Sequence, residues 1–253
     1  MREIDLNEQI ELIVKFIKKQ LTTAGFSKLI VGLSGGIDSA VVAALCVKAI
    51  GSENVYGVML PYISSHDDSL EHAKLVAEKF NIKYRIVEIT KMVDAYFNNF
   101  EPDANALRRG NRMARERMCV LYDLSAKYKA LVAGTGNLSE LMIGYCTQYG
   151  DSACAFETIG NLYKTEVFEI AHILEVPECI ITKNPTADLW EGQTDEDEMG
   201  ITYKELDEIL YLMLDQKMNY EKLVSTFSTE KIDKVKRMIQ LSEFKRNMPP
   251  SPE

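Results

Sequence analysis

Two adjacent glycines stand among groups that could bind an anion, in the stretch LIVGLSGGIDSAVVAALC (Leu29–Cys46). They are surrounded by the hydroxyl and carboxylate oxygens of Ser34, Asp38 and Ser39. The short β-branched run Lys28–Leu33 predicts a buried strand, and the Ala-, Val- and Leu-rich residues after the glycines predict a helix. Glycine lets a ligand approach the backbone closely, and a helix N-terminus offers free N–H groups with partial positive charge. The turn therefore predicts a site for phosphate or another anion.

Three known motifs compete for this turn. The P-loop pattern G-x-x-x-x-G-K-[ST] is not met because no lysine follows the glycines, and G-x-G-x-x-G fails on spacing. Residues 32–36 do satisfy G-x-S-x-G, the nucleophile elbow of α/β-hydrolases, which would make Ser34 a nucleophile. That alternative needs a later acid and histidine, yet His66 and His72 follow the turn closely and His172 falls inside a predicted helix. A glycine-rich structural turn that binds nothing is a further alternative.

The elements that must position this turn alternate along the chain. Apolar runs predict strands at residues 28–33, 54–61, 84–89, 130–133 and 178–182. Helical periodicity predicts helices at residues 4–21, 39–50, 67–80, 92–100, 105–129 and 163–174, with most of the remainder helical. We therefore expect an α/β fold with a doubly wound, mostly parallel five-stranded sheet and helices on both faces. We treat residues 1–253 as a single domain with a Pro-rich C-terminal tail at about 247–253.

Three segments at predicted strand ends are expected at one edge of this sheet: Ser34–Ser39, Gly134–Glu140 and Asn184–Leu189. Open α/β sheets bind ligands at the carboxyl ends of their strands. Asp38 and Glu140 can then face one polyphosphate, and two carboxylates bind a hard cation such as Mg²⁺ while phosphate supplies further oxygens. The alternatives are an N-cap role for Asp38 and a surface position for Glu140.

Two polar segments predict mobile loops: residues 64–68 (SSHDD) and residues 191–200 (EGQTDEDEMG). The second is strongly acidic and has no apolar periodicity, so it cannot bury apolar surface. We expect it beside the ligand crevice, with a solvated linker as the alternative.

Composition excludes several classes of function. The 253 residues are 46% hydrophobic and 26% charged, and no run approaches the ~20 apolar residues of a membrane span. The formal net charge of −9 argues against a nucleic-acid binder. The N-terminal MREIDLNEQI lacks a signal-peptide pattern, and five cysteines without a C-x-x-C pair fit free thiols in a reducing cytosol. We therefore expect a cytoplasmic protein that binds neither nucleic acid nor membrane.

Several motifs carry a resemblance to a known family. The hexapeptide SGGIDS resembles the pyrophosphate-binding loop of the N-type ATP pyrophosphatases, whose fold is adenine-nucleotide α-hydrolase-like. Five later segments resemble NAD synthetases in the same order: GNRMARERM (Gly110–Met118), GTGNLSELMIGYCTQYGD (Gly134–Asp151), IGNLYKTEV (Ile159–Val167), KNPTADLW (Lys183–Trp190) and SEFKRNMP (Ser242–Pro249). The resemblance spans nearly the whole chain.

The resemblance implies a ligase that amidates deamido-NAD (nicotinic acid adenine dinucleotide) to NAD with ammonia, the last step of NAD biosynthesis. ATP is the co-substrate and Mg²⁺ the cofactor: the carboxylate is adenylated, pyrophosphate leaves, and ammonia displaces AMP. A homodimer with deamido-NAD near the subunit interface is also implied. We expect ammonia as the nitrogen source because the first predicted strand begins at Lys28, which leaves no room before it for the amidase domain of glutamine-dependent relatives. Another superfamily member with a different acceptor, such as a nucleotide or a tRNA, is the alternative.

The same resemblance implies site residues. The ATP contacts it implies are Gly32, Leu33, Ser34, Gly35, Gly36, Ile37, Asp38, Ser39, Thr135, Lys164 and Thr186. Asp38 and Glu140 match the Mg²⁺ ligands, and with Lys164 they form the expected catalytic set. Contacts to deamido-NAD are expected from Arg115, Gln148 and Lys245, although many relatives have lysine at the position of Gln148. Two neighbouring positions also depart from the pattern: Ala155 replaces a common aspartate and Phe244 a common histidine.

Overall fold

The computed structural model describes residues 2–65, 67–190 and 192–252. Within these ranges five parallel strands form one sheet in the order β3-β2-β1-β4-β5. The strands are β1 (Leu29–Gly32), β2 (Val55–Met59), β3 (Lys83–Ile86), β4 (Leu131–Asn137) and β5 (Phe156–Ile159). In the central strand, Leu29 pairs with Val55 on one side and with Leu131 on the other. The predicted α/β fold is confirmed.

Helices follow the strands in chain order and cover both faces of the sheet. They are α1 (Leu6–Ala24), α2 (Ile37–Ile50), α3 (Asp67–Lys79), α4 (Thr90–Phe100), α5 (Ala106–Tyr128), α6 (Leu138–Ile143), α7 (Lys164–Ile173), α8 (Glu178–Ile181), α9 (Asp195–Met199), α10 (Tyr203–Leu210), α11 (Tyr220–Leu223), α12 (Thr229–Leu241) and α13 (Glu243–Arg246). A 3₁₀ turn at Ser52–Asn54 precedes β2, and a π-helical turn at Tyr211–Asp215 follows α10. Of the helices in the described ranges, none is both long and apolar enough to cross a membrane.

The sheet separates two cores because successive strand residues point to opposite faces. Leu29 and Val31 pack on one face with α1, α2 and α7, and Ile30 packs on the other face with α4 and α5. Helix α2 is apolar on all sides since it lies between the sheet and the helices α1 and α7. A third cluster joins α6, α10 and α12 around Tyr163.

The fifth strand differs from the prediction. Residues 178–182 do not form a strand: Glu178–Ile181 is the short helix α8, which begins after Pro177. Short apolar runs cannot distinguish a buried strand from a buried helical turn, and here the helical hydrogen bond from Ile180 N to Pro177 O decides. The fifth strand is Phe156–Ile159, at the edge of the sheet beside β4, and the sequence analysis did not predict it.

Strand β4 runs further than predicted and changes register near its end. It continues past Ala133 to Asn137, with an irregularity between Gly134 and Asn137 where it pairs with β5. A Cβ atom at Gly134 would lie 2.3 Å from a carboxylate oxygen of Glu157 and 2.4 Å from the Cys154 sulfur. Glycine therefore permits the close approach of β5, and the strand leads directly into α6, which carries Glu140.

Candidate active site

A cavity of about 620 Å³ opens at the carboxyl ends of β1, β2 and β4. All three segments predicted at this edge contribute to its wall, although residues 184–189 follow a helix instead of a strand. The predicted site residues on the wall are Gly32, Leu33, Ser34, Gly36, Ile37, Asp38, Ser39, Thr135, Glu140, Lys164, Thr186 and Lys245. The position agrees with the rule that open parallel sheets bind ligands beyond their strand ends.

The two serines hold the glycine turn together. Ser34 Oγ accepts a hydrogen bond from Gly36 N at 3.2 Å and lies 3.1 Å from Ser39 Oγ. Ser39 Oγ in turn donates to Gly36 O at 3.0 Å. These hydrogen bonds within the loop fix its shape, with the N-terminus of α2 directed at the cavity.

The two glycines do different things. Gly35 has φ +81°, and a Cβ atom there would lie 2.1 Å from the carbonyl oxygen of Ser69 in α3. Gly35 thus serves the packing of the loop on α3 and is absent from the cavity wall, unlike the expected ATP contact. Gly36 has an extended φ of −91°, caps α2 and faces the cavity. Of the pair, only Gly36 lines the cavity.

The three expected catalytic side chains meet at one point of the wall. Lys164, the first residue of α7, is 1% exposed, and its Nζ atom contacts Asp38 Oδ2 and, at 3.1 Å, Glu140 Oε1. Asn137 supports both acids: its Nδ2 atom donates to Asp38 Oδ1 at 2.9 Å, and its Oδ1 atom accepts from Glu140 N at 3.0 Å. A lysine at a helix start is opposed by the helix dipole, and these two carboxylates offset that cost.

Burial and mutual charge set the protonation of this cluster. Burial raises the pKa of Glu140 to about 7; Lys164 opposes the rise, while Asp38 and Asp195 add to it. Burial alone would lower the pKa of Lys164, but Asp38 and Glu140 outweigh it and the pKa is raised. Lys164 is therefore an ammonium ion between two acids.

The donor set fits a hard divalent cation. The side chains of Asp38 and Glu140 are 20% and 15% exposed at the cavity wall, so their oxygens can reach a ligand there. Within the described chain, Oε2 of Glu140 accepts no hydrogen bond, whereas Oε1 is shared by Lys164 and Tyr203. Carboxylate oxygens with room for phosphate oxygens beside them are what Mg²⁺ prefers.

Two of the expected dinucleotide contacts lie away from the cavity. Arg115 is exposed on α5 and its Nε atom donates to Gln148 O at 3.1 Å; neither residue lines the wall. Lys245 does line it, with Nζ donating to the carbonyl oxygens of Gly144 and Cys146, each at 2.7 Å.

Arg117 lines the cavity instead and was missed by the sequence analysis. Its Nε atom donates to Leu60 O at 3.0 Å, and burial lowers the pKa of its guanidinium. The sequence did contain a signal for this position. Arg117 lies four residues after the buried Met113 and therefore on the buried face of α5, whereas Arg115 lies only two residues after Met113 and points away from that face.

The acidic segment is more ordered than expected. Residues 195–199 form α9, with Asp195 and Met199 buried; Glu191 lies outside the described residues. Asp195 accepts hydrogen bonds from Tyr203 at 3.0 Å and Tyr145 at 3.1 Å, and burial raises its pKa. The sequence did carry the signal, because the N-cap Thr194, four acids in the first turn and Gly200 are typical of a short helix.

Glu157 of β5 makes the stability of the protein depend on pH. Burial raises the pKa of its carboxyl from 4.5 to about 7, against hydrogen bonds from Cys154 and Gly136 N. Because the folded state binds this proton more tightly, the group destabilises the fold increasingly as pH rises from about 4.5 to about 7. We expect Glu157→Gln to raise the free energy of unfolding over wild type by roughly 2–3 kcal/mol at pH 8 and by little at pH 5. Urea denaturation at both pH values checks this, and a difference independent of pH would contradict it.

The hydrolase alternative finds no support. Ser34 Oγ contacts Ser39 and Gly36, and no described imidazole hydrogen-bonds to it. His172 is an exposed residue of α7 near Glu178, and His66 lies outside the described residues. Among the residues that the structure describes, the serine therefore has no general base of the kind the nucleophile elbow needs.

Comparison with known proteins identifies the family. A sequence model of the family described as NAD synthase matches residues 9–249. The NH(3)-dependent NAD(+) synthetase of Fusobacterium nucleatum subsp. nucleatum is 50% identical over 252 residues, which cover 98% of this chain and 97% of the relative. The enzyme of the same name from Thermococcus kodakarensis is 46% identical over 257 residues, with both chains covered completely.

Solved structures give the same result. The NH3-dependent NAD synthetase from Campylobacter jejuni subsp. jejuni, in complex with the nitrate ion, has a TM-score of 0.85 and 35% identity over 99% of this chain and 100% of that one. The NMN synthetase from Francisella tularensis has a TM-score of 0.88 and 31% identity over 99% of each chain. By sequence and by fold, the chain belongs to the NAD synthase family and is an enzyme of the ligase class.

Proposed function

We propose that this chain amidates deamido-NAD with ammonia, using ATP and Mg²⁺ and releasing AMP and pyrophosphate. One observation carries the proposal: Lys164, Asp38 and Glu140 meet beside the N-terminus of α2 in the wall of a cavity large enough for a nucleotide. The names of the Fusobacterium and Thermococcus relatives, of which this chain covers 97% and 100%, support ammonia as the nitrogen source.

The chemistry explains why ATP is needed. A carboxylate does not react with ammonia directly because oxide would have to leave. In the first step the carboxylate oxygen attacks the α-phosphorus of ATP and pyrophosphate leaves. In the second step ammonia attacks the acyl carbon, AMP leaves and one proton is lost. Positioning and charge neutralisation carry most of such catalysis.

The residues at the cavity wall provide both positioning and charge neutralisation. The free N–H groups at the start of α2 and the Lys164 ammonium offer positive charge to the departing pyrophosphate. When bound, Mg²⁺ supplies further neutralisation, and Asp38 and Glu140 would hold it. Lys164 thus pairs with carboxylates in the free enzyme and with phosphate in the complex.

Product analysis tests the function. The chain is incubated with ATP, Mg²⁺, ammonium and deamido-NAD, and the nucleotides are separated by chromatography. We expect NAD, AMP and pyrophosphate in equal amounts; ADP formed in step with product would contradict the proposal. In a parallel reaction, nicotinic acid mononucleotide replaces deamido-NAD as the acceptor, because one structural relative is an NMN synthetase. A higher kcat/KM with the mononucleotide would reassign the acceptor, and efficient synthesis from glutamine in ammonium-free protein would refute ammonia dependence.

The paired glycines yield a prediction with a built-in control. In Gly36→Ala the new Cβ atom lies at an ordinary 3.4 Å from Ser34 Oγ but occupies the space where phosphate would approach the backbone. We expect a loss of under about 1 kcal/mol in the free energy of unfolding and a KM for ATP raised roughly 10-fold. Gly35→Ala clashes with Ser69 at positive φ, so it should cost roughly 2–4 kcal/mol of stability. Urea denaturation of both variants measures the free energy of unfolding, and steady-state kinetics measure the KM for ATP. An unchanged KM for ATP in Gly36→Ala would refute the phosphate contact.

We also infer a homodimer. Tyr122 is 44% exposed and lies seven residues after Arg115, on the same face of α5, whereas the exposed Leu107 lies on the cavity wall. An exposed aromatic side chain beside Arg115, an expected dinucleotide contact that lies off the cavity, fits an interface between two copies. We expect light scattering to give twice the mass of one chain for the wild type and a lower mass for Tyr122→Asp. Tyr84→Asp is the control, because Tyr84 is an equally exposed tyrosine on the edge strand β3, and it should retain the mass of the wild type. A monomeric wild type with full activity would contradict the inference.

A further inference from the structure

A carboxylate outside the cavity faces the start of α7. Asp207 of α10 is fully buried, and within the described chain it forms no part of the cavity wall. Its Oδ1 atom accepts from Ser139 Oγ. Its Oδ2 atom accepts from Thr165 N at 2.9 Å and from Thr165 Oγ1 at 2.8 Å. Three donors therefore converge on one acid.

These donors are the chain neighbours of the catalytic cluster. Ser139 directly precedes Glu140 in α6, and its Oγ atom accepts a hydrogen bond from Lys164 N at 2.9 Å. Thr165 directly follows Lys164 in α7. One carboxylate thus ties together the backbone on both sides of the contact between Lys164 and Glu140.

An ionised carboxylate accepts all of these hydrogen bonds, because both of its oxygens are acceptors and it has no donor. Burial raises the pKa of Asp207, and the hydrogen bonds from Ser139 and Thr165 oppose the rise. The N-terminus of α7 adds partial positive charge, which favours the anion.

We propose that Asp207 is a positioning residue for the reaction: it fixes the start of α7 to α6 and so places the Lys164 ammonium between Asp38 and Glu140. The inference rests on the proposed function of that cluster. Lys164 must contact both carboxylates and then phosphate, and a displacement of about 1 Å in such a group costs up to about 10²-fold in rate.

Glu166 provides a matched control in the same turn of α7. It is also buried, at 3% exposed, and pairs with Arg2 while its Oε2 atom accepts from Tyr163 N at 2.9 Å. It makes no hydrogen bond to Lys164 or Ser139 in the described chain. A loss of Glu166 therefore loosens the same helix without releasing the tie to α6.

The test compares Asp207→Asn, Ser139→Ala and Glu166→Gln with wild type. In Asp207→Asn the amide has no charge and one acceptor oxygen instead of two, so either Ser139 Oγ must accept from the amide N–H instead of donating, or the Thr165 N–H loses its acceptor. We expect kcat for NAD formation to fall roughly 10- to 100-fold with the KM for deamido-NAD within about twofold. Ser139→Ala should change kcat in the same direction by a smaller factor, and Glu166→Gln should lower the melting temperature with kcat within about twofold of wild type.

The affinity for pyrophosphate, measured by calorimetry with Mg²⁺ present, gives a readout that needs no acceptor. We expect it to weaken in Asp207→Asn and Ser139→Ala and to be unchanged in Glu166→Gln. Wild-type kcat in Asp207→Asn, or losses that only follow the folded fraction as in Glu166→Gln, would overturn the inference. A wild-type chain that binds pyrophosphate but makes no NAD would refute the proposed function instead, and the pyrophosphate affinities would still decide the role of Asp207.

Discussion

We expect replacement of Lys164 by methionine to lower the rate of adenylation by roughly 10²- to 10³-fold, because it removes one preorganised group that stabilises developing negative charge. The side chain is 1% exposed, so methionine fills the same space without the charge. Asp38 and Glu140 then lose their shared cation. Because Lys164 lowers the pKa of Glu140, its loss raises that pKa further and leaves Glu140 protonated at neutral pH. On the proposed function, the variant therefore loses a phosphate contact and a metal ligand together.

Exchange of labelled pyrophosphate into ATP, with deamido-NAD present and ammonium absent, measures this step by itself. Lys183→Met is the matched control, since Lys183 also lines the cavity but its Nζ atom donates to Ser69 Oγ at 3.0 Å instead of to the two acids. We expect Lys183→Met to retain exchange within about 10-fold of wild type. Exchange at the wild-type rate in Lys164→Met would remove the lysine from the catalytic set.

Much of the fold and part of this site could be predicted because the topology of a parallel sheet determines which strand ends lie side by side. Once β1 and β4 are parallel neighbours, their carboxyl ends lie side by side, and Asp38 and Glu140 follow them closely. The role of Lys164 was expected only from the family resemblance, and its contact with the two acids was not predicted. Nothing in local periodicity indicates that a lysine at a helix start becomes buried against two acids from other elements.

The errors have a common physical cause, which is contact with residues distant in the chain. Asp195 looks like a solvated acid until Tyr145 and Tyr203 supply their hydroxyls from either side of it. Residues 178–182 have the apolar content of a strand, but the place beside β4 is taken by β5. Local pattern gives the type of surface an element must bury, whereas the partner that covers it is set by the whole fold.

Asp38→Asn and Glu140→Gln are each expected to lower adenylation by roughly 10²-fold and to raise the Mg²⁺ requirement, because an amide keeps the shape of a metal ligand and loses its charge. The structure sharpens the case for Asp38. Both of its carboxylate oxygens face donors, Lys164 Nζ and Asn137 Nδ2, so an amide N–H at this position must meet one of them. In Glu140→Gln a neutral amide replaces the carboxylate that accepts hydrogen bonds from both Lys164 and Tyr203.

Pyrophosphate–ATP exchange across a Mg²⁺ titration, with deamido-NAD present and ammonium absent, separates a metal ligand from a general base. A metal ligand predicts weak exchange that recovers in part as Mg²⁺ rises. A general base predicts normal exchange at every Mg²⁺ concentration, with the defect confined to the ammonia step. Glu198→Gln is the control, because Glu198 is an acid on the same cavity wall that contacts Tyr145 and Gln193 and not Lys164. Because Glu198 accepts hydrogen bonds from these neutral partners, we expect its replacement to leave the Mg²⁺ dependence unchanged. A shift as large as that of Glu140→Gln would mean that the titration reports the net charge of the cavity and not coordination by two particular carboxylates.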